Sequence, residues 1–307
     1  MTEMAKKKIK LLVIGGPTGS GKSDLALRLA EEIGAEIVNA DSMQVYRGMD
    51  IGTAKPSAEE LARVPHHLID IVSPDQDFTA SEFRRAATAA IEEIDRRGKK
   101  AIVVGGTGLY LRALLEGLVD SPTGDPELRR QFDGVPGEEL HRRLLLVDPE
   151  SAARLHPNDR VRLIRALEVY LQTGRPISAF RAEHGFSGDY FETFKAAISV
   201  ERQELYRRLE LRVERMIAAG LVDEVKGLLA SGYRRDMKAM RSIGYKEICA
   251  HLDGEVTLDE AVTLIKRDTR RYAKRQMTWF GRENEIYWLE YPTGFASILG
   301  HVIEFFG

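Results

Sequence analysis

Short runs of branched aliphatic residues alternate along the chain with stretches whose apolar residues recur every three or four positions. Ile9-Lys10-Leu11-Leu12-Val13-Ile14-Gly15 suits a buried strand, and Asp24 to Ile33 returns to helical spacing through Leu25, Leu29 and Ile33. Ala35 to Ala40, Lys100 to Val104, Lys195 to Val200 and Tyr287 to Leu289 read as further strands. Helices are predicted between and after them. Thr79 to Gly98 opens on the capping-box pattern Thr79-Ala80-Ser81-Glu82 and stops at glycine. Arg202 to Ala219, Leu221 to Ala230, Ser242 to Leu252 and Leu258 to Phe280 follow, with a short terminal helix after Pro292. Gly48 to Pro74 carries turn formers and little periodicity, so it reads as loop broken at Pro56 and Pro65. Strands alternating with helices predict an α/β fold with a parallel sheet.

From about residue 120 the pattern changes. Pro122, Gly124, Pro126, Gly134, Pro136 and Gly137 punctuate the chain, and helical spacing resumes at Glu138 to Leu146 and Arg160 to Thr173. We expect a helical insertion over residues 121–188, with residues 1–120 and 189–307 forming the α/β core.

The turn after the first strand is Gly16-Pro17-Thr18-Gly19-Ser20-Gly21-Lys22-Ser23. Its spacing, G-x-x-x-x-G-K-S between a strand and a helix, is that of a phosphate-binding loop. Glycines let backbone N–H groups turn inward, the helix start adds partial positive charge, Lys22 reaches the outer phosphates, and Ser23 is placed to ligate Mg²⁺. The core is therefore expected to be P-loop NTPase-like. A plain glycine turn would account for the glycines but not for Lys22-Ser23 at this offset. Asp41 follows the second strand, and in an open α/β sheet such positions face the ligand crevice; it serves there or as a helix-cap or turn carboxylate. The third junction is Gly105-Gly106-Thr107-Gly108, without the aspartate that holds Mg²⁺ at this place in nucleotide hydrolases. A loop that holds a phosphorylated substrate fits this better than one that powers a motor, unless the acid comes from another strand end, for which Asp41 is one candidate.

Composition narrows the classes. A net charge of −2 over 307 residues excludes a uniformly basic coat, and one cysteine, Cys249, leaves no disulfide framework or cysteine-rich zinc site. Lys6, Lys7, Lys8 and Lys10 precede an apolar run too short for a signal peptide, and no stretch is long enough to cross a bilayer. A soluble, cytoplasmic monomer is expected. His66-His67 does not share one helix face and is read as polar surface or hydrogen-bonding rather than metal-binding. Charge is nonetheless local. Lys266, Arg267, Arg270, Arg271, Lys274, Arg275 and Arg282 face one acid, Asp268, with Tyr272, Met277, Trp279 and Phe280 interleaved. The insertion adds Arg154, Arg160, Arg162 and Arg165 against Asp159. Each cluster alone reads as a solvated helix face; together, beside a phosphate loop, they suggest a polyanion such as RNA.

These blocks resemble the tRNA dimethylallyltransferases, in their bacterial form. The resemblance rests on the phosphate loop, on Asp41-Ser42-Met43-Gln44-Val45-Tyr46-Arg47-Gly48 continuing to Gly52-Thr53-Ala54-Lys55-Pro56, and on Gly105-Gly106-Thr107-Gly108-Leu109-Tyr110. It extends through Arg165-Ala166-Leu167-Glu168-Val169, Arg241-Ser242-Ile243-Gly244-Tyr245 and Tyr272-Ala273-Lys274-Arg275-Gln276-Met277-Thr278-Trp279. It implies transfer of a dimethylallyl group from dimethylallyl diphosphate to the exocyclic amine of the adenosine 3′ of the anticodon, adenosine 37. By the same resemblance Gly16 to Ser23 would hold the diphosphate with Mg²⁺ on Ser23, and Arg212 would contact it, with Arg215 as the alternative. Asp41 would take the amine proton and Thr107 would orient the reactants. Contacts to the anticodon stem-loop are implied at Asp41, Ser42, Met43, Gln44, Thr107, Arg129, Val161, Arg162, Leu163, Ile164 and Arg165. The last such segment is Arg241, Ser242, Ile243, Gly244, Tyr245, Lys246 and Glu247. Ser242 departs from the cysteine many members carry, which no redox or metal step requires. Two other enzymes use such a loop, a small-molecule or nucleoside kinase and an isopentenyl transferase acting on free AMP. Neither needs the basic clusters, and a non-catalytic RNA-binding module would leave Lys22, Ser23 and Asp41 without a task.

Overall fold

The computed structural model describes residues 8–119, 121–184 and 190–307. The chain divides into two compact units, Met1–Leu115 with Asp189–Gly307, and Glu116–Gly188.

The first unit begins with β1 (Ile9–Gly15), α1 (Lys22–Ile33), β2 (Ala35–Asn39), α2 (Ala58–Arg63), β3 (His66–His67), α3 (Ala80–Arg96), β4 (Lys100–Val104) and α4 (Gly108–Leu115). The second unit holds α5 (Pro126–Arg130), α6 (Gly137–Val147), α7 (Pro149–Arg154), α8 (Arg160–Thr173) and α9 (Ile177–His184). The first unit resumes with β5 (Phe191–Ile198), α10 (Arg202–Ala218), α11 (Leu221–Ala230), α12 (Tyr245–Leu252), α13 (Leu258–Phe280), β6 (Ile286–Leu289) and α14 (Phe295–Phe306).

Among the described residues, six parallel strands form one sheet in the order β3-β2-β4-β1-β5-β6. Side chains of a strand alternate between faces, and a parallel sheet buries both. Leu11 and Val13 accordingly join a core with Phe83, Ile91 and Ile265, while Leu12 and Ile14 join another with Leu25, Leu29 and Ile298. The sheet is thus covered by α3, α4 and α11 to α13 on one side and by α1 and α14 on the other.

Several boundaries differ from the sequence reading. β5 starts at Phe191, because Phe191 to Phe194 pair with Ile9 to Leu12; the polar residues interleaved there broke the apolar pattern. His66-His67, read as loop, adds an edge strand beside Ile37-Val38. His66 Nδ1 lies 2.8 Å from the Val64 carbonyl and His67 Nε2 lies 2.8 Å from Glu36 Oε2, the hydrogen-bonding role anticipated. α12 begins at Tyr245 rather than Ser242, since Gly244 turns the chain with φ 95°. The helices α2, α4, α5, α7 and α9 have at most eight residues, too few for periodicity to declare.

β2 and β4 approach closely past their paired region. A Cβ on Gly105 would stand 2.2 Å from the Ala40 carbonyl oxygen, so only glycine permits this contact. Gly105→Ala is expected to destabilise the protein by about 1–3 kcal/mol through forced backbone shifts. A urea midpoint unchanged from wild type would remove this constraint.

The insertion has its own core, including Leu140 and Leu144 of α6 and Leu163 and Leu167 of α8. The wholly buried Glu168 carboxylate accepts from Arg129 Nε at 3.0 Å, Arg165 Nη1 at 2.7 Å and the Asp125 N–H at 2.5 Å. Such a carboxylate is tolerable only when paired this fully. Among the described residues, no helix is long and apolar enough to cross a membrane.

Candidate active site at the carboxyl edge of the sheet

Because β2, β4 and β1 are parallel neighbours, the segments after them emerge side by side: Asp41 after β2, Thr107 after β4, and Gly16 to Ser23 after β1. Gly16, Gly19 and Gly21 have φ of 139°, 79° and 96°, conformations that L side chains rarely adopt. Gly21 caps α1 with no side-chain hydrogen bond, which leaves the first N–H groups and the positive helix end for an anion. Ser20 Oγ is fully buried and has no partner among the described residues, so the loop holds a hydroxyl left for a ligand or an ordered water to satisfy.

Lys22 Nζ donates to the Pro17 carbonyl at 3.3 Å. Burial pushes its ammonium down to about 8; the Asp41 carboxylate works against that shift and Arg212 adds to it. Arg212 is itself lowered by burial, again opposed by Asp41, and donates to the Thr53 carbonyl at 3.4 Å. It belongs to a row on α10, Arg208, Arg212 and Arg215, whose i, i+4, i+7 spacing places them on one face. All three line a mouth of about 530 Å³ together with Gly19, Lys22 and Ser23. Arg208 is the residue the sequence reading missed, although that spacing announces it.

Arg212 also lines an adjoining cleft of about 320 Å³ walled by Thr18, Asp41, Met43, Ile243 and Tyr272. Here Asp41 Oδ1 accepts from the Met43 N–H at 2.8 Å, fulfilling the turn role, while Oδ2 has no bond among the described residues. Thr107 reaches this cleft through its neighbours: Oγ1 accepts from the Ser42 N–H at 3.1 Å and donates to Ser42 Oγ at 3.3 Å. Burial, and after it the Asp41 carboxylate, pushes the Tyr272 hydroxyl up to about 12, with Thr107, Arg275 and Gln276 opposing. The loop after Tyr46 is fixed from behind. Gln44 Nε2 donates to the carbonyls of Thr53 at 3.2 Å and Ala54 at 3.0 Å, and the Glu224 carboxylate collects the N–H groups of Asp50, Ile51 and Gly52.

Of the segment 241–247, Arg241, Ser242, Ile243, Gly244 and Tyr245 line the cleft, and Arg241 and Lys246 are exposed. Ser242 Oγ donates to the Ala239 carbonyl at 2.6 Å. Tyr245 is buried with its hydroxyl 2.6 Å from Glu224, and Glu247 is buried accepting the Gly244 N–H at 2.8 Å; both side chains hold the fold. In the insertion Val161 and Arg162 are exposed, Ile164 is half-buried, and Leu163 is buried in the core. Arg129 and Arg165 are engaged by Glu168, and Arg160 by the carbonyls of Phe132 and Val135. The basic face of α13 is also less free than its sequence suggests, since α10 supplies acids that a count along one helix omits. Glu214 pairs with Lys266 at 2.6 Å, Glu210 pairs with Arg270, and Asp268 holds Arg267 and Arg271. Lys274 and Arg275 have no ion pair among the described residues; the Arg275 guanidinium lies 5.5 Å from the Tyr272 ring centre.

Among the described residues, no group of three or more His, Cys, Asp or Glu could hold a metal ion. What the mouth offers is the exposed Ser23 hydroxyl beside Lys22, a donor that suits an ion drawing its other ligands from water and phosphate oxygens.

Comparison with known proteins agrees along the chain. The IPP transferase family model matches residues 44–283. The protein is 79% identical over 300 residues to tRNA dimethylallyltransferase 1 of Citrifermentans bemidjiense, covering 98% of each chain. It is 57% identical over 311 residues to the tRNA dimethylallyltransferase of Geobacter sulfurreducens, covering 100% of each. Among solved structures, the tRNA isopentenylpyrophosphate transferase of Bacillus halodurans is 39% identical, with a TM-score of 0.73 and 97% of each chain covered. A eukaryotic dimethylallyltransferase acting on tRNA is 31% identical, with a TM-score of 0.76 over 92% of this chain and 74% of that one. A phosphate loop opposed by a row of arginines, beside a carboxylate with one oxygen unbonded among the described residues, is therefore set in a chain that belongs to the IPP transferase family.

Proposed function

We propose that this protein transfers the dimethylallyl group of dimethylallyl diphosphate to the N6 amine of adenosine 37 in tRNA, releasing diphosphate. One observation carries the reading: Arg212 borders both the phosphate mouth and the cleft that holds Asp41, so leaving group and acceptor meet at a single edge. The allylic C–O bond breaks and its electron pair leaves with the diphosphate. Lys22, the arginines of α10 and the N–H groups of the loop receive that charge, where fixed donors in a protected site act most strongly. The N6 nitrogen forms the new bond to carbon and gives its proton to Asp41 Oδ2. A neutral adenine amine is a weak nucleophile, so proton removal during attack is what a positioned carboxylate supplies. An adenine stacked in its loop cannot reach this cleft, so the base must leave the stack. Mg²⁺ bound with the diphosphate would be held by Ser23 and would neutralise part of the developing charge.

The test is a transfer assay with dimethylallyl diphosphate and Mg²⁺, offering an unmodified tRNA anticodon stem-loop and free AMP in parallel. Label on the stem-loop adenosine alone is the expected result; label on AMP alone would sink the reading. For the tRNA contacts, Lys274 and Arg275 are the cations of α13 with no acid partner among the described residues. Replacing both with Ala is expected to weaken tRNA binding and reduce the slope of log K against log salt by about 1–2. An unchanged slope would assign that face to solvent.

A further inference from the structure

The donor and acceptor halves of this site belong to different loops, and one side chain spans them. Gln276, on α13, is buried with 6% of its surface exposed. Its Oε1 accepts from the Thr18 N–H at 2.9 Å and its Nε2 donates to the Gly106 carbonyl at 2.9 Å. A backbone N–H can only donate and a carbonyl can only accept, so these partners fix the orientation of the amide. A Cβ at position 106 would lie 2.2 Å from Gln276 Nε2, which ties that glycine to the bridge. Thr107 in turn holds the Ser42 backbone beside Asp41. Hydrogen bonds and the short backbone step from Gly106 to Thr107 therefore link the phosphate loop, through Gln276, to the turn that carries the proposed base.

We propose that Gln276 is a positioning residue that keeps the phosphate loop in register with the Gly106-Thr107 turn, and so sets the distance between the departing diphosphate and the attacking amine. The proposal rests on the transferase reading above. Gln276 lines neither the mouth nor the cleft. Its amide acts through two backbone groups, and an error of about 1 Å in such a register costs on the order of 10²-fold in rate.

Two variants separate positioning from support. Gln276→Glu keeps the shape and the bond from Thr18 but replaces the donor to Gly106 with an acceptor, whereas Gln276→Leu removes both bonds. Both are expected to lower single-turnover transfer by about 10²-fold while the Kd values for dimethylallyl diphosphate and for the anticodon stem-loop stay within about twofold. Full retention of rate in Gln276→Glu would overturn the proposal. So would an equal loss of rate and of affinity, or failure of both variants to fold in thermal melts, since Gln276 would then be structural support. A wild-type protein that does not prenylate the stem-loop would instead defeat the underlying reading, and the same assay series records it.

Discussion

Asp41→Asn is expected to lower the rate of prenyl transfer by about 10³-fold, within the range that a positioned general base supplies. The variant is chosen because it preserves the turn. An asparagine carbonyl still accepts the Met43 N–H that Asp41 Oδ1 accepts at 2.8 Å, so the loop keeps its shape and only the proton acceptor is lost. At a pH where Lys22 stays charged in the variant, the loss belongs in kcat, because neither the phosphate loop nor the basic residues of α13 depend on Asp41 for their backbone. Single-turnover transfer, with the Kd of each substrate measured alongside, checks this. A rate within about tenfold of wild type would remove Asp41 as the base. A matching loss of tRNA affinity would make it a binding residue.

The central strands and the phosphate loop were legible because their signals are local. Leu11 to Ile14 carry the aliphatic run of a strand buried on both faces, and Gly16 to Ser23 have a spacing with one physical purpose. That Asp41 and Thr107 flank the loop could be read only as strand ends; their adjacency depends on the order β2-β4-β1, which no local signal encodes. The ion pairs of the charged helices were illegible for the same reason. Along α13 the basic residues outnumber the acids, but Glu210 and Glu214 of α10 neutralise part of that face. In the insertion, Arg160 and Arg165 look like cationic surface by composition and are fasteners by geometry. Burial decided the rest. Leu163 and Tyr245 lie in segments expected to contact tRNA, yet their side chains fill cores. Helical spacing distinguished Leu163 from its exposed neighbours Val161 and Arg162, a signal the block-by-block resemblance overrode.

Lys22→Ala is expected to cost transfer about 10³-fold, since removing one fixed donor from developing negative charge costs roughly 10²–10³-fold and this one carries a full charge. The same side chain gives the reaction a pH signature whose sign follows from its surroundings. Burial holds the Lys22 ammonium near about 8 in the free protein. Below that pH the lysine is already charged and the affinity for dimethylallyl diphosphate is flat with respect to this group. Above it, the lysine is neutral before binding and must take up a proton when the diphosphate arrives. Affinity is therefore expected to fall as pH rises through about 8, by up to about tenfold per unit. Asp41 supports the charged form of Lys22, so Asp41→Asn should move the break to lower pH, while Lys22→Ala should abolish it. Titration calorimetry across this range in buffers of different ionisation enthalpy would detect the proton uptake directly. If wild type and Lys22→Ala show the same pH dependence of binding, Lys22 does not meet the diphosphate.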